Sequence, residues 1–122
     1  VEDALAAVNV GADAIVVSNH GGRQLDGAMS SIAALPAIVE AIGDRAEVWM
    51  DGGIRSGQDV LRAIALGAKG TMIGRAFLYG LGAKGQAGVR QTLEIIHKEL
   101  DLTLGLCGQS NLAKVDLSIL LK

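Results

Sequence analysis

A histidine and an arginine three residues apart are the side chains of this sequence best suited to chemistry. His20 and Arg23 follow a short apolar run, 14–17, and lie beside two adjacent glycines, Gly21 and Gly22. Imidazole exchanges a proton close to neutral pH, and a guanidinium group matches a carboxylate with a fork of donors. The pair predicts proton transfer beside an anion-binding group. Since a lone histidine in a loop is more often a surface residue, the surrounding pattern has to support this interpretation.

Two further segments combine glycine with arginine. Segments 51–55 (DGGIR) and 74–75 (GR) each follow a predicted strand, and the second begins a predicted helix. Glycine lets backbone N–H groups approach an anion, arginine adds donors for phosphate oxygens, and a helix N-terminus favours negative charge. The alternative is that the glycines only turn the chain and that Arg55 is a solvated surface residue. Because two such segments occur at neighbouring strand ends, we predict a phosphate site. Its residues are Asp51, Gly52, Gly53, Arg55, Gly74 and Arg75.

The elements that must position these residues alternate between strands and helices. Short continuous apolar runs, typical of parallel strands buried on both faces, predict strands at 14–17, 47–50 and 71–73. Pro36 suits the first position of a helix, and Ser56 with Asp59 resembles a capping box at the start of another. Helices are therefore predicted at 2–10, 36–42, 57–66, 76–81 and 89–104, with a turn and a short helix at 107–122.

An internal repeat supports this alternation. Leu5 and Gly11 recur as Leu61 and Gly67, and an apolar strand follows at the same distance each time. Such units build a parallel sheet with right-handed crossovers. Three strands leave two open edges, whereas a (β/α)8 barrel of about 250 residues has none and carries its phosphate site after strands seven and eight. We predict an α/β chain forming the C-terminal part of a TIM barrel, about strands six to eight. A small doubly wound sheet is the alternative, and it needs a fourth strand.

Composition narrows the class of protein. The 122 residues are 50% hydrophobic with a net charge of −2, so we expect a packed core and no nucleic-acid partner. A single cysteine, Cys107, points to a reducing cytoplasmic setting, and no apolar run approaches the roughly 20 residues of a membrane span. We expect no metal site and no functional role for His97. Because Val1 already lies in a helical pattern, we expect the chain to be a fragment that lacks its natural beginning.

Four segments together resemble one known family. Residues 18–26 (SNHGGRQLD), 51–55 (DGGIR), 65–68 (ALGA) and 74–75 (GR) are similar to the FMN-dependent L-2-hydroxy acid dehydrogenases, which include glycolate oxidase, L-lactate dehydrogenase and mandelate dehydrogenase. The similarity extends over nearly the whole chain. The first segment is highly specific, whereas glycine–arginine pairs occur in several FMN and phosphate-binding barrels. Segments 75–79 and 85–89 most resemble the bacterial quinone-linked L-lactate dehydrogenases.

The resemblance implies a function and a role for each candidate residue. FMN would be the cofactor, and an L-2-hydroxy acid such as L-lactate would be oxidised to the 2-keto acid. His20 would take a proton from the substrate and Arg23 would bind its carboxylate. Gly53, Arg55, Gly74 and Arg75 would hold the FMN phosphate, with Asp51 on the ribityl chain.

The resemblance also implies that much of the site lies outside this chain. The lysine near the flavin, the acid that orients the histidine and the tyrosines that contact substrate would precede Val1. We therefore expect residues 1–122 to be the C-terminal portion of the barrel and to be inactive alone. The expected partners are the substrate, the N-terminal portion of the barrel and further copies in a homotetramer. For the full-length protein, peripheral attachment to the inner membrane is an alternative to a purely cytoplasmic location.

Two other functions are also compatible with the sequence. A related FMN-dependent barrel, such as an isopentenyl diphosphate isomerase, would use the two glycine–arginine segments equally well, but an arginine three residues after the histidine suits a small carboxylate better. The third possibility is a half-barrel without catalytic activity, which pairs its open edges with another copy or with the missing half.

Overall fold

The computed structural model describes residues 1–120, in which helices and strands alternate along the chain. The helices are α1 (Glu2–Asn9), α2 (Ser31–Ile42), α3 (Gly57–Ala65) and α4 (Arg75–Leu106). The strands are β1 (Ala14–Val17), β2 (Glu47–Met50) and β3 (Gly70–Thr71). Short 3-10 turns lie at His20–Gly22, Gly43–Arg45, Leu112–Lys114 and Leu117–Ile119.

The three strands form one parallel sheet in the order β1-β2-β3. Val17 lies opposite Met50, and both belong to a core that includes Leu35 and Ile42 from α2. Side chains alternate across a strand, so Val16 faces the opposite side of the sheet, where 47% of its surface is exposed. The helices thus cover one face of the sheet. The predicted α/β class with a parallel sheet is confirmed.

Helix α2 and strand β3 differ from their predicted bounds. Helix α2 begins five residues before Pro36, because Ser30 starts the helix with its backbone carbonyl accepting from Ala33 and Ala34. The proline N cannot donate to the carbonyl of Ile32, but both residues are exposed, so water can take the place of that bond. Strand β3 ends at Thr71 because its partner β2 ends at Met50, which lies opposite.

Helix α4 contains both of the helices predicted between residues 76 and 104. Its backbone leaves the helical conformation at Lys84 (φ −144°) and Gly85 (φ 57°), so that 75–83 and 86–106 are two helices joined at a break. Although α4 is 32 residues long, neither it nor any other helix of the described chain is long and apolar enough to cross a bilayer.

The C-terminal tail contains turns where a turn and a short helix were predicted. The side chains of Asn111 and Asp116 accept from the backbone N–H groups of Ala113 and Ser118, at 2.9 and 2.8 Å, and each bond starts a 3-10 turn. Up to residue 120, the predicted short helix therefore corresponds to two single 3-10 turns. Its last two positions, 121–122, lie outside the described residues.

Candidate functional site

The carboxyl ends of the three strands open onto one cavity of about 570 Å³. All eight residues predicted from the sequence line it, although they come from three separate loops. This is the arrangement expected where parallel strands end at one edge of a sheet. The eight residues are His20, Arg23, Asp51, Gly52, Gly53, Arg55, Gly74 and Arg75.

The loop after β1 holds its histidine in a left-handed backbone conformation. His20 has φ 55°, followed by Gly21 at 68° and Gly22 at 71°. This conformation costs a non-glycine residue about 1 kcal/mol. Local hydrogen bonds offset the cost, since the His20 N–H donates to Ser18 Oγ and the Gly22 N–H donates to the Asn19 carbonyl, both at 3.0 Å. The imidazole is thereby presented on an exposed loop at the cavity.

A buried serine of α2 joins the first loop to the second. Ser31, which is 4% exposed, accepts from the Asn19 N–H at 3.2 Å, and the Asn19 side chain donates to the Met29 carbonyl at 3.3 Å. A Cβ added to Gly52 would lie 3.1 Å from Ser31 Oγ and 3.2 Å from Asn19 Oδ1. Because Gly52 also has φ +81°, both the conformation and the space at this position require glycine.

The second loop is fixed by the predicted capping box at the start of α3. The Asp59 carboxylate accepts from the backbone N–H groups of Arg55 and Ser56, both at 3.1 Å, and Ser56 Oγ accepts from the Asp59 N–H at 3.3 Å. The capping box predicted from the sequence is confirmed. It fixes the backbone of Arg55 while the side chain of Arg55 remains exposed at the cavity.

The third loop places a glycine and an arginine at the N-terminus of α4. No side chain caps this helix at Gly74, and its first residues, Arg75 and Ala76, line the cavity together with Gly74. A Cβ added to Gly74 or to Gly53 would meet no atom within 4 Å, so both backbones border open space. Arg75 Nη2 donates to the Gly21 carbonyl at 3.2 Å, which joins the third loop to the first.

The charged groups of the cavity are available to a ligand. Within residues 1–120, Arg23, Arg55 and Arg75 form no ion pair with a carboxylate. Asp51 Oδ1 is buried and has no hydrogen-bond partner in the described chain. Buried polar atoms nearly always have a partner in native structures. The cavity can therefore bind a ligand that carries anionic oxygens for the arginines and a hydroxyl donor for Asp51.

Comparison with known proteins decides the family. The family model for FMN-dependent dehydrogenases matches residues 1–122. The chain belongs to this family.

The relatives that match this chain are named after 2-hydroxy acids, namely lactate and mandelate. An L-lactate dehydrogenase of Caulobacter sp. (strain K31) is 59% identical over 121 residues, which are 99% of this chain and 32% of the relative. An L-lactate oxidase of Nostoc sp. (strain PCC 7120) is 53% identical over 98% of this chain and 33% of its own length. A crystal structure of mandelate oxidase with (S)-2-phenylpropionate superposes with a TM-score of 0.91 at 52% identity, covering 93% of this chain and 34% of that one. The chain thus spans about a third of the length of the relatives it matches.

The residues of the cavity fit the cofactor of the FMN-dependent family. FMN carries a phosphate, which the unpaired arginines and the open backbone at Gly53 and Gly74 can accommodate. It also carries ribityl hydroxyl groups, which are donors of the kind that buried Asp51 Oδ1 lacks. The cavity therefore contains groups that fit both the phosphate and the ribityl chain of FMN.

Sequence reasoning missed several residues that shape the site. The contact of Asn19, Ser31 and Gly52 depends on how closely two loops approach, and no local pattern predicts that distance. Leu78, Tyr79 and Thr92 of α4 also line the cavity. The only signal for Leu78 and Tyr79 is an apolar run after Gly74-Arg75, which equally suits a packed helix.

Proposed function

We propose that the chain is the C-terminal part of a (β/α)8-barrel enzyme that oxidises an L-2-hydroxy acid, L-lactate by preference, to the 2-keto acid. The observation that carries this proposal is the shared cavity, which is lined by an imidazole, an arginine three residues later and two glycine–arginine loops. Bound FMN would supply the acceptor for the two electrons that the substrate loses. The protein itself has to supply a group that accepts a proton and a group that binds the substrate carboxylate.

His20 acts as the base in this proposal. Oxidation of a 2-hydroxy acid to the 2-keto acid removes two electrons and two protons. An imidazole nitrogen at the cavity can accept one of these protons, and the other leaves with the two electrons to the acceptor. The left-handed backbone of His20 supports a functional role, because residues with a strained backbone occur more often at active sites and ligand-binding sites than elsewhere. Arg23 lies three residues further on in the same loop and binds the substrate carboxylate with paired N–H donors.

Six residues of the second and third loops hold the cofactor in this proposal. Arg55 and Arg75 neutralise the phosphate, while Gly52, Gly53 and Gly74 let backbone N–H groups come close to its oxygens. Asp51 accepts from a ribityl hydroxyl, which gives its buried Oδ1 a partner.

Support for L-lactate comes from the named relatives. The Caulobacter and Nostoc proteins are called L-lactate dehydrogenase and L-lactate oxidase, and they are more than half identical to this chain. The similar solved structures are mandelate oxidases, whose substrate carries a larger side chain. The proposal therefore has to be tested with both substrates.

We further propose that residues 1–122 do not turn over alone and that the active protein is a homotetramer. The chain covers about a third of its relatives' length, so groups that complete the flavin site lie in the remaining part. A cytoplasmic location, with peripheral attachment to the inner membrane as the alternative, completes the proposal.

The direct test is anaerobic mixing of the purified full-length protein with candidate substrates. The protein should be yellow, and L-lactate should bleach the flavin absorbance faster than L-mandelate, with D-lactate as the stereochemical control. Faster bleaching by L-mandelate would contradict the choice of lactate. Purification without flavin would contradict the FMN proposal. A yellow protein that neither acid bleaches, but that binds isopentenyl diphosphate, would favour the isomerase alternative.

A further inference from the structure

One arginine links the loop of the proposed base to the proposed phosphate site. The hydrogen bond from Arg75 Nη2 to the Gly21 carbonyl joins residues 54 positions apart. The carbonyl belongs to the residue directly after His20. The other hydrogen bonds of this loop connect it to itself or to residues 29 and 31, which precede or begin α2.

We propose that Arg75 is a positioning residue for His20 as well as an anion ligand, so that phosphate binding and the placement of the base depend on the same side chain. A guanidinium group has five N–H donors, and the bond to Gly21 uses one nitrogen. The remaining donors can meet a phosphate oxygen without releasing the carbonyl. The identity of the anion as the FMN phosphate rests on the proposed function.

The loop that contains His20 is short and exposed, so the hydrogen bond from Arg75 can stabilise its conformation. Its three successive left-handed residues, 20–22, form a single short turn, and two of them are exposed. Local turns with exposed backbone open at little free-energy cost. Fixing the Arg75 guanidinium on a bound phosphate would limit this opening. Since coupling between two sites is reciprocal, disturbing the loop at Gly21 should also weaken phosphate binding.

The two neighbouring glycines of the loop offer a matched pair of variants. Gly21 and Gly22 have φ +68° and +71°, so alanine strains the backbone equally at both positions. A Cβ on Gly21 would lie 3.2 Å from Arg75 Nη2, whereas a Cβ on Gly22 would meet nothing within 4 Å. Gly21→Ala in the full-length protein should therefore raise the Kd for FMN at least about tenfold above that of Gly22→Ala, as expected for loss of one charge-assisted bond. Equal Kd values for the two variants would overturn the proposal.

Hydrogen exchange of residues 18–26 in the full-length protein tests the reciprocal effect, which is the effect of FMN binding on the loop that contains His20. Saturating FMN should slow exchange of this segment in the wild type and in Arg55→Lys, but not in Arg75→Lys, since lysine cannot serve the carbonyl and the phosphate together. Equal slowing in both variants would overturn the proposal, and unchanged exchange in α2 checks that each variant is folded. If the wild type bound no FMN, the proposed function would fail, and the same comparison with inorganic phosphate would still decide the role of Arg75.

Discussion

At the scale of single residues, the cavity contains groups that the described chain leaves without partners. Asp51 Oδ1 is the clearest case, since it is buried and accepts no hydrogen bond within residues 1–120. Leaving such an atom unpaired costs roughly 1–3 kcal/mol of folding free energy. Residues that lower stability in this way are typical of ligand sites. Asp51 should therefore lower the stability of the FMN-free protein while it supports the proposed binding of FMN.

Asp51→Asn should separate these two effects. A neutral amide is less costly than an unpaired carboxylate, so the free energy of unfolding of the FMN-free protein should rise by about 1 kcal/mol. The Kd for FMN should rise about tenfold, because the amide is a weaker acceptor for a ribityl hydroxyl. Chemical denaturation and flavin fluorescence titration measure the two quantities. Asp44→Asn, on an exposed residue, is the control, and an unchanged Kd in Asp51→Asn would contradict the assigned contact.

Residue types could be predicted better than their contacts. The glycines and arginines of the proposed phosphate site can be recognised in the sequence because each glycine–arginine segment is short and directly follows a predicted strand. The pairing of Asn19 with Ser31, and its contact with Gly52, could not be predicted, because it depends on how two loops distant in sequence approach each other.

At the scale of elements, close packing at glycines lets segment 86–106 of α4 support the second and third loops of the site. Gly88 in segment 86–106 contacts the Gly80 carbonyl so closely that a Cβ would overlap it, and this contact positions the short helix that begins at Arg75. Gly57, at the start of α3, is packed in the same way against the backbone of Leu100. Segment 86–106 thus supports both the second and the third loop.

Gly88→Ala should destabilise the protein by about 1–3 kcal/mol, because the added methyl group has no space between the two helices. Gly105→Ala is the matched control in the same helix, where a Cβ meets nothing within 4 Å. Alanine there should instead stabilise the protein by about 0.5–1 kcal/mol through its helix propensity. Thermal and chemical unfolding of both variants measure the difference. Equal effects of the two substitutions would contradict the helix contact.

Local sequence signals predicted some of the helix and strand boundaries. Other boundaries differ from the prediction because tertiary contacts determine them. The capping box of Ser56 and Asp59 is complete within four residues, so the sequence alone locates the start of α3. Pro36 suggested a helix start, but its exposed position allows it inside α2. The end of β3 is fixed by the end of β2, and no pattern within β3 predicts it.

At the scale of the whole molecule, the sheet has one uncovered face and two open edges. Val16 and Met72 are 47% and 41% exposed, and β1 and β3 are the outer strands of the described sheet. Exposed apolar faces and unpaired edges promote association. The three-strand parallel sheet could be predicted from the repeat of helix, glycine and strand. The exposure of its second face could not, because continuous apolar runs predict strands that are buried on both faces.

Residues 1–122 expressed alone should therefore self-associate. Size-exclusion chromatography with light scattering should give a mass above the 12.5 kDa of one chain. Replacing Val16 and Met72 together by lysine should reduce association, because it places charge on the uncovered face. Val10→Lys is the control, since Val10 is 88% exposed but lies just after α1 and outside the sheet. A stable wild-type monomer would contradict the prediction.

We propose that His20 acts as a base at a cavity that it shares with the proposed FMN phosphate site. The chain contains two histidines, and His97 lies exposed on α4 away from the cavity lining, so it serves as the matched control. The most direct measurement is the rate of flavin reduction by L-lactate in the full-length protein, mixed anaerobically at saturating FMN. His20→Ala should slow reduction by about 10²–10⁴-fold, as loss of a general base does, while His97→Ala reduces at the wild-type rate. Reduction of His20→Ala within about tenfold of the wild type would contradict the proposed role of His20 as the base.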